Sequence, residues 1–322
     1  MTRRLSTLLF PVFLLLAVAL QGSEARAPIP ADRGYRHLVV LGDPHLPGDN
    51  LAQKERVIET INRWQDVDMV AVVGDVCADY GTPAEYEAAR KFFDTLRKPL
   101  LPIAGNHDFI YASPEDGHVG FNTGSPASQQ AKLQLFRETF GLAQHYYSKE
   151  VGNYLLLFLS TDHPGFAAGI SEPQLAWLRM QLASHRHRST IVFFHGPLMG
   201  TQHTFKHYVN SPHAIAQPED ALHRIIVDNP QLFLWVSGHT HTPATEVSYA
   251  APVNLYAGQV WNIHNTDMKH ATIWTNSLLL YPDKVVVKTY NHQDNVWLPE
   301  LERAIPAPQP GIRPITTPAR SD

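Results

Sequence analysis

Leu232-Phe233-Leu234-Trp235-Val236-Ser237-Gly238-His239-Thr240-His241 opens with five apolar residues and closes on two histidines. The run Leu232 to Val236 is too short for a helix, so it reads as a buried strand. On an extended segment, residues two apart point to the same face, so His239 and His241 project together. The same arrangement recurs four times upstream. His37 to Leu41 precedes Asp43-Pro44-His45, Met69 to Val73 precedes Gly74-Asp75, Leu100 to Ala104 precedes Gly105-Asn106-His107-Asp108, and Ile191 to Phe194 precedes His195. Five strands therefore deliver Asp, Asn and His to one edge of a sheet. In open α/β sheets, sites form outside the carboxyl ends of the strands, where residues distant in sequence converge.

The donor types define the chemistry. Imidazole suits zinc or iron, whereas carboxylate and amide oxygens suit manganese or magnesium. No thiolate belongs to the set: the one cysteine, Cys77, follows Asp75 by two residues and reads as a small buried side chain. A carboxylate such as Asp75 can bridge two cations, and two cations can clamp the attacking and leaving oxygens of an in-line displacement at phosphorus. Each segment alone has an ordinary structural explanation, a capping Asp or a hydrogen-bonded His. The ordered set of five points to a two-metal hydrolytic site.

That ordered set, D-x-H, G-D, G-N-H-D, H and G-H-x-H over roughly residues 36 to 243, resembles the calcineurin-like metallophosphoesterase superfamily. The resemblance implies a four-layer α/β/β/α sandwich of two mixed sheets flanked by helices. It also implies that Asp43, His45, Asp75 and His241 hold one divalent ion and that Asp75, Asn106, His195 and His239 hold the other, as Mn, Fe or Zn. His107 would be the non-ligand catalytic histidine, protonating the leaving oxygen, with Asp108 orienting it and favouring its charged form. The nucleophile would be a hydroxide bridging the metals. Purple acid phosphatases depart from this chain: they replace the first His and place a Tyr three residues after the bridging Asp, where Ala78 stands here. Tyr80 lies five residues on and does not match, and Asp79 reads as a helix cap or a neighbouring hydrogen-bond acceptor.

Helical periodicity over Leu51 to Trp64, Pro83 to Leu96, Ser128 to Phe140, Glu172 to Ser184 and Pro218 to Val227 places helices between most strands, a layered α/β arrangement. Tyr154 to Leu159 is a further strand. Val253 to Tyr256, Ala271 to Thr275, Ser277 to Tyr281 and Lys284 to Tyr290 read as antiparallel strands that complete a second sheet.

Arg3 and Arg4, the apolar stretch Leu8 to Leu20 and the small-residue pattern Ala25-Arg26-Ala27 read as a signal peptide over residues 1–27, so we expect a periplasmic or secreted protein. An uncleaved anchor is the alternative. No membrane span is expected after signal removal. With one cysteine there is no intramolecular disulfide, and stability rests on the core that 322 residues, 44% hydrophobic, can bury. The formal charge is −4; residues 1–27 carry Arg3, Arg4, Arg26 and Glu24, so their removal leaves −6. No basic patch indicates nucleic-acid binding. The catalytic domain is expected over 28–303, and a proline-rich, disordered or extended tail over 304–322.

Two long loops leave the ligand positions. Phe109 to Ala127 contains Tyr111, Phe121 and Asn122; Pro197 to Gln217 contains His203, His207, Tyr208 and His213. They form either a rim that stacks on a base or sugar or small aromatic clusters of ordinary surface loops. The expected function is an exported dinuclear-metal phosphoesterase acting on a small-molecule phosphodiester. The alternatives are a phosphomonoesterase or nucleotide phosphatase, and a non-catalytic metal-binding module on the same fold.

Overall fold

Continuous apolar runs need cover on both faces, and the fold supplies it with two stacked sheets and helices outside each. The computed structural model describes residues 33–114 and 120–308. The first sheet is built on β1 (Arg36–Leu41), β2 (Val67–Val73) and β3 (Leu100–Ile103), which run parallel. The second contains β4 (Tyr147–Val151), β5 (Tyr154–Phe158), β6 (Ser189–Phe193), β7 (Leu232–Ser237), β8 (Leu255–Tyr256) and β9 (Val260–His264) in the order β4-β5-β6-β7-β9-β8. Between and around them lie α1 (Leu51–Arg63), α2 (Pro83–Phe93), the short α3 (Asn106–Phe109), α4 (Pro126–Phe140), α5 (Glu172–Ser184) and α6 (Glu219–Val227).

Side-chain alternation explains the four layers. Leu38, Val40, Ala71 and Val73 of the first sheet meet Leu156, Phe158, Ile191, Phe193, Leu234 and Val236 of the second in a dry core between the sheets. The intervening residues Val39, Leu41, Val70 and Val72 turn outward against Val57, Ile58 and Ile61 of α1 and Tyr86, Phe92 and Phe93 of α2. On the far side Leu155, Leu157, Val192 and Trp235 meet Leu175, Leu178 and Leu182 of α5 and Leu222 and Ile225 of α6. This is the expected α/β/β/α sandwich.

Four expectations about the strands are corrected. The five ligand-bearing strands do not share one sheet: β1, β2 and β3 lie in the first, β6 and β7 in the second. The closing strands β10 (Trp274–Leu280), β11 (Lys284–Asn291) and β12 (Val296–Pro306) do not extend the second sheet but join the first, β10 running antiparallel to β1. The segments read as Ala271 to Thr275 and Ser277 to Tyr281 are one strand, since Asn276 is buried and donates to the His264 carbonyl at 2.9 Å. Around Val253 the chain forms a 3-10 turn, Pro252–Asn254, before the two-residue β8.

The proline-rich tail also begins later than residue 304. Ile305 is buried between the sheets opposite Val285, Ala307 donates to the Asp283 carbonyl, and the Pro308 carbonyl accepts from Ser189 Oγ at 2.7 Å. Pro306 is tolerated because β12 is an edge strand. The remaining tail and the segment 1–27 read as a signal peptide lie outside the described residues. No helix among the described residues is long and apolar enough to cross a membrane.

The core contains a histidine that ties stability to pH. His264 is fully buried at the end of β9, its Nε2 donates to the Thr201 carbonyl at 3.0 Å, and burial pushes its pKa down to about 4. The unfolded chain takes up a proton near pH 6.5 while the fold refuses it, so this group's contribution is present above pH 6.5 and is lost as the pH falls. Denaturant titrations at pH 7 and pH 5 should show the wild type losing on the order of 1–2 kcal/mol more over that interval than His264→Gln. An equal loss in the two proteins would place the acid sensitivity elsewhere.

Candidate metal centre

The loops at the carboxyl ends of β1, β2, β3, β6 and β7 converge on one point above the cleft between the sheets. Asp43 and His45 follow β1, Asp75 follows β2, Asn106 and His107 follow β3, His195 follows β6, and His239 and His241 follow β7. Asp43, His45, Asp75, Asn106 and His195 are buried, whereas His107, His239 and His241 line the more open side. One ligand atom each from Asp43, His45, Asp75 and His241 falls within 4.8 Å of the others, and so does one each from Asp75, His195 and His239. These are the two sets expected, with Asp75 common to both. Asn106 joins the second through Oδ1, 2.9 Å from His195 Nε2. Its amide is oriented by Nδ2, which donates to the Tyr111 hydroxyl at 3.0 Å.

Backbone geometry makes the convergence possible. Asp43, His45, Asp75, His239 and His241 all have φ between 39° and 65°, the left-handed region that non-glycine residues rarely occupy. Three motif glycines are needed for space, and a Cβ on Gly74 would lie 2.5 Å from His195 Nδ1. A Cβ on Gly105 would lie 2.3 Å from Asp75 Oδ1, and one on Gly238 would lie 2.3 Å from Asp43 Oδ2. The carboxylates are held there by amides: His107 N donates to Asp75 Oδ1 at 2.9 Å, and His239 N donates to Asp43 Oδ1 at 3.0 Å.

The outer nitrogens of four imidazoles are already committed. His45 Nδ1 lies 3.0 Å from the Ala78 carbonyl, His195 Nδ1 2.8 Å from the Val73 carbonyl, His239 Nε2 2.9 Å from the His213 carbonyl and His241 Nδ1 2.6 Å from Asp267 Oδ2. Each acceptor fixes the ring proton on the outer nitrogen and leaves the inner one as a bare lone pair. Those inner nitrogens face each other: His45 Nε2 and His241 Nε2 at 3.2 Å, His195 Nε2 and His239 Nδ1 at 3.0 Å. Asp75 Oδ1 stands 3.3 Å from His195 Nε2. Acceptors crowded this closely repel unless a positive charge lies among them. The residues therefore fit two divalent cations.

The titration behaviour carries the same signature. Burial disfavours a charged His195, yet the Asp75 carboxylate outweighs it and raises the pKa to about 9. A proton on His195 thus relieves the crowding that a cation would relieve. Burial likewise raises Asp43, to about 7, against the pull of His241 and His195. His239, buried and facing His195, is pushed down to about 3.

His107 stands apart from both sets. Its Nδ1 donates to the Asp79 carbonyl at 2.9 Å, and its Nε2 is 4.0 Å from Asp75 Oδ2, turned toward the centre without a hydrogen bond. Burial lowers its pKa and Asp75 opposes the shift. The expectation that Asp108 orients His107 is corrected. The Asp108 carboxylate instead accepts from the amides of Gly105, Cys77 and Val76 at 2.7, 2.8 and 3.2 Å, and burial beside Asp75 raises its pKa to about 7. Asp108 ties the second and third ligand loops together. Orientation of His107 falls to Asp79, whose amide and that of Tyr80 are held by Glu85, the residue that also closes the capping box of α2 with Thr82.

Asp267 was not anticipated from the sequence. It follows β9, is 1% exposed and braces His241, while its other oxygen meets His270 Nδ1 at 2.6 Å. Tyr80 lies outside the ligand sets, its ring stacked on Phe121. Of the loop histidines, His213 reaches the centre only through its backbone carbonyl.

Fold and site together define a dinuclear-metal hydrolase of the layered α/β type. The sequence profile of the calcineurin-like phosphoesterases matches residues 36–243, and the chain belongs to that family of metal-dependent phosphoester hydrolases. It is 32% identical over 136 residues to the glycerophosphodiester phosphodiesterase GpdQ of Enterobacter lignolyticus (strain SCF1); that match spans 40% of this chain and 42% of the relative. A dimetal phosphatase from Danio rerio superposes with a TM-score of 0.55 at 15% identity, covering 85% of this chain and 99% of that one. Purple acid phosphatase PPD1 from yellow lupin gives 0.56 at 14% identity over 82% and 52% of the two chains, a likeness of fold alone.

Because Asp75 belongs to both sets and Asp267 touches one, their variants should separate. Elemental analysis should find two metals per chain in the wild type. Asp75→Asn should weaken both sites, and Asp267→Ala should weaken the His241 site alone, by about 10- to 100-fold. One metal per chain, retained in Asp75→Asn, would contradict the assignment.

Proposed function

We propose that the protein is an exported phosphodiesterase that cleaves small-molecule phosphodiesters. The observation that carries the hydrolytic role is His107 Nε2, left facing the centre after both ligand sets are complete. Support for a diester comes from the similarity to a glycerophosphodiester phosphodiesterase over its matched part. Support for export comes from the basic, apolar and small-residue pattern of residues 1–27.

Two cations held by these residues would supply an ionised water near neutral pH and neutralise charge on the phosphoryl oxygens. The chain's own groups do the rest. The Asp79 carbonyl fixes one proton on His107 Nδ1, which leaves Nε2 as the atom that addresses the substrate. Burial favours the neutral ring, but an anionic phosphoryl group beside Nε2 adds negative charge and favours a second proton there. That proton passes from Nε2 to the leaving oxygen as the P–O bond breaks. Deep burial of Asp43, Asp75 and His195 keeps bulk water from screening these charges.

His107→Ala should keep both metals and lose turnover by about 10² to 10⁴. The loss should be larger for an alkyl ester, whose alkoxide needs the proton, than for a nitrophenyl ester. Equal losses at matched metal content would assign His107 to phosphoryl binding instead. Bis(p-nitrophenyl) phosphate should be cleaved with higher kcat/KM than p-nitrophenyl phosphate by the metal-reconstituted full chain. The reverse order would make the protein a monoesterase. Export is checked by amino-terminal sequencing of the protein recovered outside the cytoplasm, where a start within a few residues of Pro28 is expected and retention of Met1 contradicts cleavage.

A further inference from the structure

Three aromatic rings stand on the outer side of His107, and none belongs to a ligand set. Phe121 meets the His107 ring edge-on, with centroids 5.1 Å apart and planes at 81°. Tyr111 meets it at 5.2 Å. Phe121 is stacked on Tyr80 at 5.4 Å and 30°, and tilted against Tyr111 at 4.9 Å. On the opposite side His107 touches His45 at 4.9 Å, so the histidine stands between a metal-ligand ring and Phe121.

Phe121 is 54% exposed, among the largest values for a large apolar side chain in the described residues. A loop ring that merely filled a surface cluster would bury itself. This one keeps more than half its surface bare, next to the atom that protonates the leaving oxygen. It is also held in place. Tyr80 and Tyr111 pin the ring, Gly124 N donates to the Ile110 carbonyl at 2.7 Å, Ala112 N donates to the Asn122 carbonyl at 2.7 Å, and Lys132 Nζ donates to the carbonyls of Tyr80 and Tyr111. A ring fixed before binding loses little entropy when a ligand stacks on it.

We propose that Phe121, backed by Tyr80 and Tyr111, is a ledge for the leaving group of the ester, and that it selects phosphodiesters whose leaving alcohol carries a flat aromatic ring, a nucleoside above all. This rests on the phosphodiesterase reading of the same centre. The location decides which part of the substrate is read, because the group attached to the oxygen that receives the His107 proton lies beside the ring against which Phe121 packs. The packing decides the shape. Rings 4.9 to 5.4 Å apart touch one another and enclose no space for a round quaternary ammonium group, whereas Phe121 keeps 54% of its surface bare and its side chain is a flat ring. Bases stack on such planes with little regard to sequence.

The test uses two diesters with alkoxide leaving groups of similar basicity: the methyl diester of adenosine 5′-phosphate and the methyl diester of glycerol 3-phosphate. With metal-loaded full-length protein, Phe121→Ala should lower kcat/KM for release of adenosine about tenfold or more relative to the loss for release of glycerol. Most of the difference should appear in KM, and Phe121→Trp should restore it. Equal losses for both diesters, or no rescue by Trp, would overturn the ledge. Calorimetric titration with the adenosine diester gives a separate readout. Weaker binding to Phe121→Ala with no turnover of either diester would overturn the phosphodiesterase reading and sustain the ledge, whereas unchanged binding would overturn the ledge whatever the activity.

Discussion

Opposed imidazole nitrogens that only positive charge can reconcile govern this structure. Four imidazoles present inner nitrogens to one another at 3.0 and 3.2 Å, with Asp75 Oδ1 and Asn106 Oδ1 in the same space. Like-polarity acceptors cannot be held so close in a buried site unless positive charge sits among them, since burial strengthens their repulsion. The outer hydrogen bonds are what prevent escape. If His45, His195, His239 and His241 were free to rotate or to change tautomer, each would turn a ring proton inward. The carbonyls of Ala78, Val73 and His213 and the carboxylate of Asp267 remove that option.

Holding five non-glycine residues in the left-handed region costs of order 1 kcal/mol each. The surrounding fold over-determines them. Two sheets, each covered by helices, end side by side, and their end loops are cross-linked by short bonds such as His45 N to the Asp75 carbonyl at 2.9 Å and Gly238 N to the His195 carbonyl at 2.9 Å. Asp108, in the loop after β3, accepts from Val76 N and Cys77 N and so fastens that loop to the one after β2. Rigid strands anchor the ligands, while the aromatic side of the site stands on a loop. The chemistry is thereby fixed, and the part that reads the leaving group is free to differ.

Much of this was legible in the chain because strand and ligand signals coincide. Five apolar runs each hand over to Asp, Asn or His, which located the site, and the resemblance to the calcineurin-like metallophosphoesterases supplied the seven candidate ligands within it. The division of those strands between two sheets was not legible, because a strand buried on both faces has the same apolar run whichever sheet it enters. β9 was missed since Val260-Trp261-Asn262-Ile263-His264 mixes apolar residues with polar ones whose partners are distant; Asn262 Oδ1, for one, accepts from Leu198 N. Asp267, three residues beyond, was missed with it. Asp108 was misread because adjacency to His107 suggested contact, whereas on the short α3 consecutive side chains diverge, and the Asp108 carboxylate turns to backbone amides.

The central claim is that two cations lie between opposed lone pairs, with nitrogen identities set by the outer hydrogen bonds. Anomalous X-ray diffraction from crystals of the metal-loaded protein tests it most directly. The account predicts two anomalous peaks flanking Asp75, one contacted by Nε2 of His45 and of His241, the other by Nε2 of His195 and Nδ1 of His239. A single peak, or a His239 ring turned to bind through Nε2 with its bond to the His213 carbonyl broken, would contradict it.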